Sequence, residues 1–261
     1  MITYKVKLAF KGSRYLGWQK QKDFYPTVQD ELEKALKSIF KSATIHTVGS
    51  GRTDAGVHSL GHVARIKAPF DIEPEALHKA LNSKLPDDAR ILEVAYCDPD
   101  FRPTNDALKK EYKYLFTNLK DPGPFQKDLV ANYPFELDFE KMRQACKLFV
   151  GEWDFERFSC VGSDPSSTIR TVYECELRSH IEPNFQNIFP AYHCFKIVGN
   201  GFLKQMVRLM VGCLWHVGRN KLSEKEIIQA LEGLPKEGPA GAKRLGEVAP
   251  PQGLYKVKTW Y

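Results

Sequence analysis

Cysteine is sparse and scattered in this sequence. The six cysteines, Cys97, Cys146, Cys160, Cys175, Cys194 and Cys213, include no Cys-x-x-Cys pair and sit mostly in apolar runs, where free Cys behaves as a small hydrophobe. They read as reduced core residues. Cys and His do not cluster at the spacing of a metal site, so a zinc module is excluded. No run of 18 apolar residues occurs, which excludes a membrane-spanning helix. The chain opens on Ile2-Thr3-Tyr4-Lys5-Val6-Lys7-Leu8-Ala9-Phe10 with no apolar signal core, so the expected compartment is the cytoplasm. Nor is there a block of one charge: 38 Lys and Arg face 32 Asp and Glu, with a sequence pI of 8.9. That surplus favours a polyanionic partner without resembling a histone tail.

What is present is a patterned chain of 261 residues, 43% apolar, long enough for one large domain or two joined subdomains. Ile2 to Phe10 alternates as a strand. A helix opens near Thr27, with Val28, Leu32, Leu36, Ile39 and Phe40 at helical spacing. Strand-like segments at Ala43 to Val48 and His62 to Ala68 follow, then a helix from Glu73-Pro74 carrying Ala76, Leu77, Ala80, Leu81 and Leu85, and a strand at Ile91 to Tyr96. The order β-α-β-β-α-β is that of a ferredoxin-like unit.

The pattern then runs again with other lengths. Lys110 to Phe116 is strand-like, Asp138 caps a helix bearing Met142, Ala145, Cys146 and Phe149, and Thr171 to Ser179 and Ala191 to Val198 read as strands. An apolar helix spans Leu203 to Val217, a capping box stands at Ser223-x-x-Glu226, and Leu254 to Trp260 closes the chain as a strand. Pro235 to Gly246 reads as the most mobile loop. The expectation is an α+β protein of two ferredoxin-like halves, residues 1–104 and 105–261, whose antiparallel sheets join around a central cleft.

Gly51-Arg52-Thr53-Asp54-Ala55-Gly56-Val57-His58 carries the most chemistry. It sets a carboxylate and a guanidinium two residues apart in a glycine-flanked loop between two strands, where a rigid sheet can aim Asp54. Taken alone, such a loop could equally be a turn with solvated charges. Tyr112 and Tyr114 lie on one side of a strand, so at most one reaches a cleft while the other packs. Arg208 falls at the edge of the apolar stripe Leu203, Met206, Val207, Met210, Leu214 and Val217, a position that by itself suggests snorkelling. Ala249-Pro250-Pro251-Gln252-Gly253-Leu254-Tyr255 is a stiff turn that presents Leu254.

Together with Tyr15-Leu16-Gly17-Trp18-Gln19-Lys20-Gln21, these segments resemble the TruA family of tRNA pseudouridine synthases over nearly the whole chain. The resemblance implies the pseudouridine synthase fold and isomerisation of uridine to pseudouridine at positions 38–40 of the tRNA anticodon stem-loop. It implies Asp54 as the essential aspartate, Arg52 as the arginine that displaces the target base, Arg208 as the partner of the catalytic carboxylate, Tyr112 as the residue that stacks on the base and takes the C5 proton, and Leu254 as an apolar wall. It also implies a homodimer acting on tRNA, with neither membrane nor DNA as partner and, the reaction being an isomerisation, with no metal or other cofactor. Two departures stand out: Ser59 follows His58 where alanine or glycine is usual, and Lys204-Gln205 replaces frequent histidines.

The chemistry fits these residue types. Detaching uracil from C1′ separates charge, and a carboxylate beside C1′ can attack or stabilise the oxocarbenium-like transition state. Burial would otherwise protonate it, and a guanidinium counters that. Flipping a stacked uridine costs a few kcal/mol, offset by contacts to phosphates. Lys11, Arg14, Lys20, Lys22, Arg65, Lys67, Lys243 and Arg244 are candidates for those contacts, although each could equally be a solvated charge. Two other readings stand beside this one. A non-catalytic RNA-binding protein would use sheet aromatics, and no RNP1-like pattern occurs. A carboxylate-based glycoside hydrolase would need a second acid, and the loop holds none.

Overall fold

A computed structural model describes residues 1–21, 26–42, 45–160, 167–180, 191–233 and 244–261. Lys22, Lys243 and most of the Pro235–Gly246 loop lie outside the described residues, as does the start of the segment expected as a strand from Ala43. The chain divides into two compact units, Met1–Leu108 with Tyr255–Tyr261, and Lys109–Leu254.

In the first unit, β1 (Ile2–Phe10), α1 (Val28–Phe40), β2 (His46–Gly49), β3 (His58–Ala68), α2 (Pro74–Asn82) and β4 (Ala89–Tyr96) follow the expected β-α-β-β-α-β order. The strands lie β4-β1-β3-β2, all antiparallel, with Val6 opposite Ala64 and Val94. This is the ferredoxin-like arrangement. The Thr27 side chain caps α1 by accepting from the Asp30 amide, which satisfies one of the orphan donors of the first turn. Val28, Leu32, Leu36 and Phe40 then bury one stripe against Tyr4, Val6 and Leu8 of β1 and Ala64, Ile66 and Ala68 of β3. Each large apolar side chain so buried stabilises the unit by roughly 1.5–3 kcal/mol. Pro74 opens α2, which stops at Asn82, so Leu85 reaches the core from the turn that follows. The last strand, β10 (Leu254–Trp260), runs parallel to the start of β3, pairing Tyr255 with His58 and Lys256 with Ser59. That pairing is why residues from Tyr255 onward belong to the first unit, a return that hydropathy periodicity does not locate.

The second unit comprises β5 (Lys109–Thr117), β6 (Ala131–Asn132), α3 (Phe139–Leu148), β7 (Gly151–Asp154), β8 (Ile169–His180), β9 (Tyr192–Gly199), α4 (Met206–Gly218) and α5 (Glu224–Leu231). Its sheet runs β5-β9-β8-β7 with antiparallel neighbours, and β6 lies parallel to β5. The short β7 is an edge strand too brief to show alternation. Asp138 caps α3, and Ser223 with Glu226 forms the expected capping box on α5. Helix α4 starts three residues later than the apolar run suggests, because Gln205 sits at φ 61° and breaks the helical backbone before Met206. It is buried on nearly every side, as a helix apolar all round must be. Cys146, Cys160, Cys194 and Cys213 are buried, Cys97 and Cys175 half-buried, and none of the six is in a disulfide. Among the described residues no helix is long and apolar enough to cross a membrane.

Candidate functional site

The Asp54 loop is held by backbone. Gly12 and Gly17 bring the segment after β1 so close that a methyl group on either would collide with it: a Cβ at Gly12 would lie 2.0 Å from the Val57 carbonyl oxygen, and one at Gly17, at φ +87°, 2.1 Å from that of Thr53. Only glycine permits this approach. The Gly56 amide donates to the Tyr15 carbonyl at 3.1 Å, the Gly12 amide donates to His58 Nδ1 at 2.9 Å, and the Val57 amide closes a turn onto the Asp54 carbonyl at 3.2 Å. Gly51 and Gly56 supply φ of 131° and 79° at the two bends. His58 is buried, stacked on Tyr255 at 4.7 Å. The result is a loop whose Asp54 side chain is half-buried while Arg52 is exposed. Arg52 borders a cavity of about 370 Å³ that Trp18, Gln29, Thr47, Gly51 and Thr104 also line.

The approach side is itself stiffened. Tyr15 is buried, and its hydroxyl donates to Asp88 at 2.5 Å, while Arg14 makes an ion pair with the same carboxylate. Burial and the Asp88 charge push the Tyr15 phenol well above its ordinary range. Trp18 stacks on His62 at 3.9 Å over Gly49, where a Cβ would strike both rings. Lys20 is engaged by Asp30 at 3.0 Å and Glu33 at 3.5 Å, with about half its side chain exposed. Arg65 donates to the Phe101 carbonyl at 2.6 Å. Arg14, Lys20 and Arg65 thus have protein partners, a pairing that the local sequence does not reveal.

In the second unit the two tyrosines share a face of β5 and differ in depth. Tyr114 is fully buried and donates to the Pro250 carbonyl at 2.8 Å. Tyr112 is half-buried, its ring edge-on to Phe202 at 5.2 Å. Arg208 does not snorkel. Its side chain is buried, and Nε donates to the Ala249 carbonyl at 2.6 Å while the Ala249 amide returns a bond to the Arg208 carbonyl. Tyr114 and Arg208 therefore grip the turn that leads to Leu254, which is itself buried. Gly212 and Gly246 let this segment lie backbone to backbone on α4, since a Cβ at Gly212 would lie 1.9 Å from the Glu247 carbonyl oxygen. Arg244 is exposed. Asp54, Arg52 and Lys20 thus belong to the first unit, and Tyr112, Arg208, Leu254 and Arg244 to the second.

Sequence reasoning missed Lys256. Its side chain is wholly buried, with Nζ donating to the Ser50 carbonyl at 3.2 Å and to Ser50 Oγ, and 3.5 Å from His62 Nδ1. A lysine inside an alternating strand carries no signal of burial. The departure at Ser59 also finds its place: the hydroxyl donates to the Lys256 carbonyl at 2.9 Å and accepts from the Gly61 amide. At the other departure, Gln205 takes the left-handed position before α4, and its Oε1 accepts from the Cys160 thiol.

The Asp54 loop is thus a carboxylate-bearing loop clamped from behind, in a chain of two α+β units. The family model described as tRNA pseudouridine synthase matches residues 8–103 and 145–261. The tRNA pseudouridine synthase A of Geobacillus sp. (strain WCH70) is 36% identical over 257 residues, covering 98% of this chain and 97% of that protein. Those of Listeria monocytogenes serotype 4a (strain HCC23) and Thermoanaerobacter sp. (strain X514) are each 36% identical over 261 residues, the full length of both chains in each comparison. The chain belongs to the tRNA pseudouridine synthase family and has its mixed α+β fold. It is an isomerase that converts uridine to pseudouridine in tRNA, which sets aside the hydrolase and the non-catalytic RNA-binding readings.

Proposed function

We propose that Asp54 acts on the glycosidic bond of uridines at positions 38–40 in the tRNA anticodon stem-loop, with Arg52 displacing the target base from its stack. Tyr112 stacks on the detached ring and takes its C5 proton, Arg208 keeps the carboxylate ionised, and Leu254 walls the ring from water. The observation that carries this reading is the combination of a half-buried Asp54 with a loop fixed by the Gly17–Thr53 approach. A catalytic carboxylate must keep its distance to C1′ while charge develops, and a loop that cannot relax costs no reorganisation at that moment. Detachment, rotation and rejoining at C5 leave atoms and oxidation states balanced, so the reaction needs no redox partner. Water would intercept the detached base, which gives apolar and aromatic walls their purpose.

Recognition follows from the same chemistry. An enzyme that accepts several neighbouring uridines holds the RNA by its backbone, and Lys20, Lys22, Lys243 and Arg244 are assigned to phosphates. A tRNA is an extended molecule that offers more backbone than one chain of 261 residues can cover, and a cytoplasmic homodimer with two-fold symmetry doubles the basic surface. Light scattering at micromolar concentration checks the dimer; a fully active monomer refutes it.

The decisive experiment is pseudouridine mapping in tRNA incubated with the protein alone, beside its Asp54→Asn variant. The expected outcome is modification in the anticodon arm, abolished in the variant while tRNA binding persists. Modification confined to another arm overturns the target assignment. A variant retaining more than about a tenth of the wild-type rate, which is under about 1.4 kcal/mol of lost transition-state stabilisation, overturns the role of Asp54.

A further inference from the structure

Two cations in the second unit share one face of the sheet without an acid among the described residues. Lys110, Tyr112 and Tyr114 share one face of β5, since side chains on a strand alternate. Tyr114 is in the core and Tyr112 is half-buried, so Lys110 occupies the end of that face where the apolar layer stops. Across the sheet, Lys110 is opposite Gly199 of β9, and Gly199 is opposite Val172 of β8. Val172 is buried, and Arg170, two residues before it, lies on the same face. The strand between the two cations thus presents a glycine, over which the Phe202 ring packs.

The turn after β9 lies against the same face. A Cβ at Gly201 would sit 3.6 Å from Arg170 Nε, so the arginine runs along the Gly199–Gly201 backbone. A Cβ at Gly199 would lie 3.1 Å from the ring of Phe202, the same ring that Tyr112 meets edge-on. Arg170 is oriented by its own strand, donating from Nη1 to the carbonyls of Ser167 at 2.8 Å and Ile169 at 2.6 Å. Among the described residues neither Lys110 nor Arg170 pairs with a carboxylate, whereas Lys20, Lys113 and Lys196 each do. Burial, and then the Arg170 charge, lower the Lys110 pKa, and burial lowers that of Arg170. Two like charges taken partly out of water repel, and an anion between them relieves both the repulsion and the desolvation.

We propose that Lys110 and Arg170, flanking the Gly199–Gly201 turn, form a subsite for one backbone phosphodiester of the substrate RNA, beside the nucleotide that Tyr112 receives. The Lys110 ammonium serves as a point charge, and the guanidinium supplies directed donors. This rests on the reading of Tyr112 as the residue that meets the target base.

The test uses an anticodon stem-loop RNA and the single variants Lys110→Met and Arg170→Met. Each is expected to raise KM five- to tenfold with kcat changed less than twofold. The slope of log KM against log salt should become shallower by roughly 0.7–0.9 for each lost phosphate contact. Lys110→Arg should restore both KM and slope, which a merely structural lysine would not link. A methylphosphonate scan supplies an arm that needs no variant to fold. In the wild type one neutralised linkage next to the target uridine should raise KM by a similar factor, and in Lys110→Met the same linkage should raise it no further. Unchanged KM and slope, or a scan in which no linkage near the target matters, overturns the subsite. Wild-type pseudouridine formation in the same assay tests the underlying reading separately.

Discussion

The ammonium of Lys256 is bonded to Ser50, the residue immediately before the Asp54 loop: Nζ lies 3.2 Å from the Ser50 carbonyl oxygen and 2.5 Å from Oγ, with the lysine wholly buried. Ser50 is also tied to β3, its amide donating to the Val63 carbonyl at 2.8 Å and its Oγ accepting from the Val63 amide at 3.2 Å. Taking an ammonium out of water is costly, and replacing a buried ion with an apolar side chain of similar volume is often neutral or stabilising. The lysine therefore serves position more than stability. Lys256→Met is expected to leave the melting temperature unchanged or higher while single-turnover pseudouridylation slows about tenfold, or about 1.4 kcal/mol. A variant as active as the wild type would remove this role.

The clamp behind Asp54 makes a second prediction. Gly17→Ala must place a methyl group 2.1 Å from the Thr53 carbonyl oxygen at a φ of +87°, so either the clamp opens or the backbone strains. Each costs stability, together about 2–4 kcal/mol, and the displaced loop loses activity beyond what unfolding explains. Thermal melting and turnover measured below the transition check this. An alanine variant with full stability and full rate would mean that the approach is dispensable.

Much of this was legible in the sequence for reasons the structure makes concrete. Strand alternation and helical stripes located nearly every element because one face of each packs on a core, as with Val28, Leu32 and Leu36 on α1. The caps at Thr27, Asp138 and Ser223 were readable because capping is chemically local. Long-range relations were not. No local pattern says that Tyr255–Tyr261 return to the first unit, that Arg14 faces Asp88, or that Lys256 meets Ser50 across 206 residues of chain. Lys110 and Arg170 carry no local signal for the same reason, since only the strand register sets Gly199 between them.

His193 predicts a pH dependence of stability. It is buried beneath Phe139, stacked at 3.9 Å, and its ring nitrogens lie 2.9 Å from Ser179 Oγ and 3.3 Å from Asn118 Oδ1. A neutral imidazole serves both partners, accepting from the serine and donating to the amide oxygen. Burial, and then the charges of Arg143 and His180, lower its pKa to about 4. Above the unfolded value of about 6.5 both states are neutral and the group has no effect. As pH falls from there toward 4 the unfolded chain binds a proton that the folded chain refuses, so stability is lost across that window, on the order of 2 kcal/mol. Denaturant titrations between pH 7 and 4 should show a steeper decline for the wild type than for His193→Gln, whatever the variant loses at neutral pH. Parallel slopes would exclude His193 as the cause.

The two strand tyrosines should respond in opposite ways to the same change. Tyr114→Phe strands the Pro250 carbonyl that the phenol serves at 2.8 Å, at about 1–3 kcal/mol for a partly buried acceptor left unmet. The melting temperature should drop, and the Leu254 turn should loosen with it. Tyr112→Phe keeps the ring against Phe202 and should change stability much less. Its effect belongs to the chemistry: if the phenol takes the C5 proton, detached base persists while rearranged product falls. A 5-deuterated uridine sharpens the readout, because a step made slower at C5 exposes an isotope effect that the wild type masks. Equal loss of both steps in Tyr112→Phe, with no isotope effect, would assign the residue to stacking alone.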